Sequence, residues 1–193
     1  MEERKIIQRL KQGDIASLEM LVQTHQEKAI RTAYLITQDK ALAHDVVQAT
    51  FITVYKAIDT FDSQRPFEPY FMRSVVHAAV RASKKQQRSI SLETFVEEHG
   101  YLDDLVSGDD NPETILADRE QTEEIQALLK QLSPQKRAVI VMKYYLGYSE
   151  IEIAEKLNTP HGTIKSRLYK ARQQLKRLFK TQQVAPRLKE DLG

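Results

Sequence analysis

The densest run of functional side chains lies in the last third of the chain. Thr163, Lys165, Ser166, Arg167, Tyr169, Lys170 and Arg172 follow one another closely, with Lys176 and Arg177 just beyond, and Ile164 and Leu168 interrupt them four residues apart. On a helix, that step sets the aliphatic pair on one side and the polar residues on the other. Short hydroxyls and cations suit base edges in a major groove, and further cations suit phosphates. The first amides of such a helix also favour an anion. A solvated surface helix would carry the same residue types, and spacing alone does not separate the two.

Two further sets stand earlier. Arg73, His77, Arg81 and Lys84 recur at helical steps beside Phe61, Phe67, Tyr70 and Phe71. Opened nucleic acid is held by cations on phosphates and by aromatics that receive unstacked bases. Phe67, Tyr70 and Phe71 fit a core better, because large aromatics are mostly buried. Phe61, next to the turn-rich Asp62-Ser-Gln-Arg-Pro66, is the freer ring. The third set is Asp45, Gln48 and Phe51; a carboxylate such as Asp45 near a helix start is equally well explained by the helix dipole.

Other chemistries find little support. Without cysteine, thiol catalysis, disulfides and zinc-thiolate sites are excluded. His25, His44, His77, His99 and His161 form no close ligand pair, and no phosphate-cradling glycine loop is present. Asp103-Asp104 and Asp109-Asp110 lie in a stretch without periodicity, where solvation is the ordinary explanation. No catalytic residue, metal site or cofactor is therefore expected. A metal-dependent nuclease is the enzyme reading that DNA cleavage by the pure protein would support.

The elements that position these residues are helices. Leu42, Val46, Val47, Phe51, Val54, Tyr55 and Ile58 predict one amphipathic helix, and Phe67, Tyr70, Phe71, Val75, Ala78 and Ala82 the buried side of the next. Asp14 is a candidate N-cap. Ser133-Pro134 opens a helix that Gly147 closes, Ser149-Glu-Ile-Glu152 is a capping box, and Thr159-Pro160 opens the helix bearing Ile164, Leu168, Ala171, Leu175 and Leu178. With 41% hydrophobic and 29% charged residues the chain reads as folded. Charge is unevenly laid out: +4 over residues 1–88, −11 over 89–124 and +9 over 125–193. The expected fold class is all-α, with two small helical domains joined by an acidic linker. The domains span 1–86 and 113–180, the linker 87–112, and Asn111-Pro112-Glu113 resembles a helix start. A disordered tail is expected over 181–193. No secretory h-region or apolar run long enough to span a bilayer is visible, which places the chain in the cytoplasm.

Residues 149–177, a short helix, a tight turn and a longer helix, have the layout of a helix-turn-helix. Leu132-Ser-Pro-Gln-Lys-Arg137, Tyr148-Ser-Glu-Ile-Glu-Ile-Ala154, Gly162-Thr-Ile-Lys-Ser-Arg-Leu168 and Lys170-Ala-Arg172 together closely resemble the promoter-reading C-terminal domain (region 4) of bacterial sigma factors. Ala43-His-Asp-Val-Val-Gln-Ala-Thr-Phe51 is similar to the core-binding signature of their region 2, and Phe67-Glu-Pro-Tyr-Phe-Met-Arg73 through Arg81 resembles the segment that opens the minus-10 element. The chain thus resembles an extracytoplasmic-function (ECF) sigma factor of the sigma-70 family.

The resemblance implies a non-enzymatic factor that directs RNA polymerase core to promoters and helps melt them. Thr163, Lys165, Ser166, Arg167, Tyr169, Lys170 and Arg172 would then meet the minus-35 element, with Arg137, Arg167 and Arg172 holding phosphates or capping helices. Phe61, Arg73, His77, Arg81 and Lys84 would meet the minus-10 element; Asp45, Gln48 and Phe51 would meet polymerase. The family usually has Asn at His77 and often Trp at Tyr70, so the minus-10 base preference does not carry over. The implied partners are the polymerase core, through its largest-subunit coiled coil and its flap, promoter DNA, and in many relatives an anti-sigma factor, without direct membrane insertion. The linker would thread through polymerase, either imitating a nucleic-acid strand or spacing two basic domains. The competing reading is a helix-turn-helix regulator that works without polymerase.

Overall fold

Glycine and proline are scarce, and the apolar residues recur at helical steps; the computed structural model turns this pattern into helices connected by tight turns. It describes residues 2–90 and 125–190, with side chains from 3 to 88 and from 125 to 181. Among the described residues every regular element is helical, and the chain divides into two units, Met1–Thr94 and Phe95–Gly193. Most of the expected linker, from 91 to 112, and the helix start at Asn111 lie outside the described residues.

In the first unit α1 is Glu2–Lys11, α2 Ala16–Thr37, α3 Lys40–Lys56 and α4 Phe67–Ile90, with a 3-10 turn at Ile58–Thr60. Asp14 acts near the start of α2: its carboxylate accepts from the Ser17 hydroxyl at 3.0 Å and the Ala16 amide at 3.1 Å, and pairs with Arg9 at 2.7 Å. The Ser17 bond leads the causes that hold this carboxyl below its ordinary range. Asp39 caps α3 by accepting from the Leu42 amide at 2.9 Å, while its other oxygen accepts from Gln86 of α4 at 2.7 Å.

Helices α2, α3 and α4 pack on one another around Leu21, Ala29, Ile36, Val46, Val47, Phe51, Phe67, Phe71, Met72 and Val75. The buried seam of α4 continues through Ala79 and Ser83 rather than the expected Ala78 and Ala82, which are half-buried. Steps of four from Phe67 through Phe71, Val75 and Ala79 to Ser83 keep one line of contact along the helix.

Helix α1 is tied to this bundle by side chains as well as by buried Ile7 and Leu10. Glu3 lies 2.8 Å from the ring of His25, which is 5% exposed and has the Phe67 ring 5.5 Å away. Arg4 donates to the Gln64 carbonyl at 3.1 Å. Lys11 donates to the carbonyls of Asp59 at 3.1 Å and Phe61 at 2.6 Å, so two cations of α1 hold the connection into α4.

The second unit opens with α5, helical from 125 to 130, and α6, Pro134–Ile140, which widens into a π-helical turn at Val141–Tyr145. The Leu146 amide closes that turn on the Val141 carbonyl at 3.0 Å. Gly147 then reverses the chain at φ 76°, a conformation that costs glycine little. α7 is Glu150–Lys156 and α8 is His161–Glu190. α8 thus runs as helix through residues 181–190, where a disordered tail was expected. The run Phe179-Lys-Thr-Gln-Gln183 continues the helix in hand without a breaker, and the helix extends past Pro186 to Glu190.

Replacing Lys11 with Met removes both bonds to the 59–61 carbonyls. Charge-assisted bonds of this kind are worth about 1.5–3 kcal/mol. Hydrogen-exchange mass spectrometry should show faster exchange over residues 58–66 with α8 unchanged, and Lys11→Arg should recover part of the protection.

Candidate nucleic-acid interface

The helix-turn-helix is assembled by local bonds. Ser149 and Glu152 form a reciprocal capping box: the Ser149 hydroxyl accepts from the Glu152 amide at 3.2 Å, and the Glu152 carboxylate accepts from the Ser149 amide at 2.8 Å. The bonds to Ser149, followed by nearby Lys156 and Lys143, hold the Glu152 carboxyl below the ordinary carboxylate range. α7 ends with Asn158 at φ 46°, where a short polar side chain tolerates the left-handed region. The Thr159 amide donates back to the Ala154 carbonyl at 2.9 Å. Thr159 does not cap α8 through its side chain; its hydroxyl donates to the Leu157 carbonyl at 3.1 Å, and the Pro160 carbonyl accepts from the Thr163 amide at 2.9 Å.

The phase of α8 follows from its seam. Ile164, Leu168 and Ala171 are at most 1% exposed, and the helix packs on α6 and α7. Gln174 adds a polar tie, accepting from Lys136 at 2.7 Å and donating to the Gln131 carbonyl at 2.8 Å. Away from the seam, Thr163, Lys165, Ser166, Tyr169, Lys170 and Arg172 are all exposed, and Arg167 is half-buried at the margin. The residues expected to meet an upstream element therefore share one accessible face. Arg137 does not join it. Only 3% exposed, it lies inside the unit, where burial lowers its guanidinium to about 10, so it stays charged at neutral pH but is not placed to hold a phosphate.

In the first unit Arg73 and Arg81 are exposed and His77 and Lys84 half-buried, along one side of α4. Phe61 is a correction. It is 6% exposed, with its ring 4.7 Å from Tyr70 and edge-on to Phe67 at 5.8 Å. A 3-10 turn at Ile58–Thr60 leads into it and Lys11 pins its carbonyl, so the ring closes the aromatic core instead of facing out.

Asp45 and Gln48 are exposed on α3, but Phe51 is buried with its ring 4.3 Å from Phe71. Any role of Phe51 at a docking face is to set α3 from within. Sequence reading missed Ile52, 55% exposed and one helical step beyond Gln48. An aliphatic residue on the polar side of the period was the available signal.

Among the described residues no helix is long and apolar enough to cross a membrane, and no group of three or more His, Asp or Glu could hold a metal ion.

The sigma-70 region 2 model matches residues 21–89, and the sigma-70 region 4 model matches residues 122–175. The ECF RNA polymerase sigma factor SigW of Bacillus subtilis is 29% identical over 177 residues, 90% of this chain and 95% of SigW. The chain belongs to the ECF branch of the sigma-70 family. It is also 30% identical over 165 residues to the ECF sigma factor SigE of Mycolicibacterium smegmatis, 86% of this chain and 62% of SigE. The fold is shared with the sigma factor RpoE of Bartonella quintana, solved with the anti-sigma factor NepR: TM-score 0.63, 20% identity, 84% of this chain and 96% of that one. As a sigma factor the protein directs RNA polymerase to promoters, and the two matched regions are the two units that carry the faces described above.

Ser149→Ala removes one half of the capping box, and loss of such a cap costs about 0.5–2 kcal/mol. A carboxyl held below its ordinary range stabilises the fold above that range and loses its contribution as pH falls through the folded value. NMR titration should place Glu152 below the ordinary carboxylate range in this sigma factor and move it only part of the way upward in Ser149→Ala, because the amide of residue 149 still donates to the carboxylate; an unmoved midpoint would remove the hydroxyl from the causes of the shift.

Proposed function

We propose that this sigma factor reads the minus-35 element with the exposed face of α8 and holds the opened minus-10 strand along α4, seated on core polymerase through α3. The exposed hydroxyls and cations opposite the Ile164–Leu168–Ala171 seam carry the first assignment. Lys165, Ser166, Tyr169 and Lys170 meet base edges, and Thr163, Arg167 and Arg172 hold the adjoining backbone. On α4, Arg73 and Arg81 hold strand phosphates, with His77 and Lys84 beside them; with Phe61 buried, base capture falls to other groups. Asp45 and Gln48 dock on the coiled coil of the largest polymerase subunit, with Ile52 adding apolar contact, and the second unit meets the flap. The factor works in the cytoplasm by positioning and strand capture, without covalent chemistry. An anti-sigma partner, as RpoE has in NepR, would hold it inactive.

The decisive experiment is transcription with purified core polymerase. Specific initiation should require both proteins, and tight duplex binding by the chain alone would favour a regulator that works without polymerase. Lys165→Ala with Lys170→Ala should weaken upstream-element binding by about 1–3 kcal/mol for each base-specific interaction removed, with core association intact. Asp45→Arg with Gln48→Ala should lower competition for core polymerase while leaving the isolated fold unchanged; undiminished competition would remove α3 from the docking face.

A further inference from the structure

The cationic face of α8 does not stop where the minus-35 assignment stops. Lys176, Arg177 and Lys180 are exposed, and they lie just beyond residue 175, where the region 4 match ends. Arg172, Lys176 and Lys180 follow one another at i, i+4, on the side of α8 that also carries Lys165 and Tyr169. No carboxylate occurs between His161 and Thr181.

That composition is costly for a helix facing only water. Exposed helices usually interleave acids with bases at i, i+4, whereas like charges at that spacing destabilise the helix. Among the described residues Arg172, Lys176, Arg177 and Lys180 make no ion pair that would relieve the repulsion. An anion brought from outside would relieve it.

Length indicates which anion. At 1.5 Å per residue, Lys165 to Lys180 spans about 22 Å, while a major groove is about 12 Å wide. A helix with its first turns on base edges therefore reaches past the groove. The far end of a long recognition helix can then meet the sugar-phosphate backbone, as the last helix of a homeodomain does.

We propose that Lys176, Arg177 and Lys180 form a second, sequence-independent phosphate site on duplex DNA, at the edge of the groove that α8 reads. The proposal rests on the assignment of α8 to the upstream element and extends it past the matched region. Glutamine is the replacement of choice, because its helix propensity is close to that of Lys and Arg.

The test uses the complete complex of this chain, core polymerase and duplex promoter DNA, with binding measured over a series of salt concentrations. Each phosphate neutralised contributes about 0.9 to the slope of log affinity against log salt. K176Q with R177Q and K180Q should flatten that slope by about 2–3, leave base preference at the upstream element unchanged, and be restored by Arg at 176 and 180 with Arg177 retained. An unchanged slope overturns the proposal. So does weaker association with core polymerase in the absence of DNA, which would make polymerase the anionic partner. Tighter DNA binding also overturns it, because the cations would then be satisfied by the chain's own acidic residues. Failure of the underlying assignment registers separately, as unchanged base preference in K165Q with K170Q.

Discussion

The rotational phase of α8 is the constraint on which the DNA-reading unit depends. Burying Ile164, Leu168 and Ala171 fixes which side of the helix faces α6 and α7. A helix turned by one residue would rotate about 100°, sending Lys165 toward the seam and Ile164 toward solvent. Removing three apolar side chains from water opposes any such turn, at about 25 cal/mol per Å² of apolar surface. The Lys136–Gln174–Gln131 bonds act in the same sense. Apolar packing therefore aims the cations, although it makes no contact with a ligand. The turn before α8 completes the constraint: Asn158 accepts a left-handed backbone, and Ser149 with Glu152 fixes the start of the supporting helix.

The first unit obeys a different logic. Its interior is a set of rings contributed by α3, α4 and the connection between them: Phe51, Phe61, Phe67 and Phe71, with His25 of α2 against Phe67 and Phe71. Because those rings fill one side of α4, Arg73 and Arg81 are left on the other. Helix α1 precedes the region 2 match, which begins at residue 21, yet it closes the unit through Glu3, Arg4 and Lys11. Two of these three act on backbone carbonyls of the segment leading into α4. The path of that segment is thus set by residues about fifty positions away in sequence.

What could be read beforehand follows the range of the interaction. The capping box at Ser149 is a local pattern completed within four residues, and the seam of α8 needs only one helical period, so both were legible. Phe61 was misread because its burial depends on where the chain turns and on rings at 67 and 70, and neighbouring turn residues made it look peripheral. The phosphate role of Arg137 fails for the same reason: beside Lys136, which bonds Gln174 of α8, nothing local distinguishes it, and only the packing of α6 puts it inside. The ties from α1 left no pattern, because a side chain that bonds a distant carbonyl imposes no residue type on its partner. Ile52 left a weak one, an aliphatic side chain out of phase.

The charge layout gives these two faces a common problem. Residues 125–193 carry +9 and residues 1–88 carry +4. Cations on phosphates bind any duplex, so a chain built of such units alone would spread over non-specific DNA. Base contacts from the first turns of one helix add only a few kcal/mol of discrimination. A sigma factor gains selectivity when recognition of two promoter elements must coincide, because holding one raises the effective concentration of the other. The −11 carried by residues 89–124 brings the whole chain to +2, which lowers its attraction to bulk nucleic acid without removing a cation from either face. Gathering the acids in one stretch of sequence, with none between His161 and Thr181, leaves the local field of α8 strong while the long-range field stays weak. Charge segregation along the sequence therefore separates two quantities that a uniformly basic protein would have to trade against each other: grip at the promoter and idleness elsewhere.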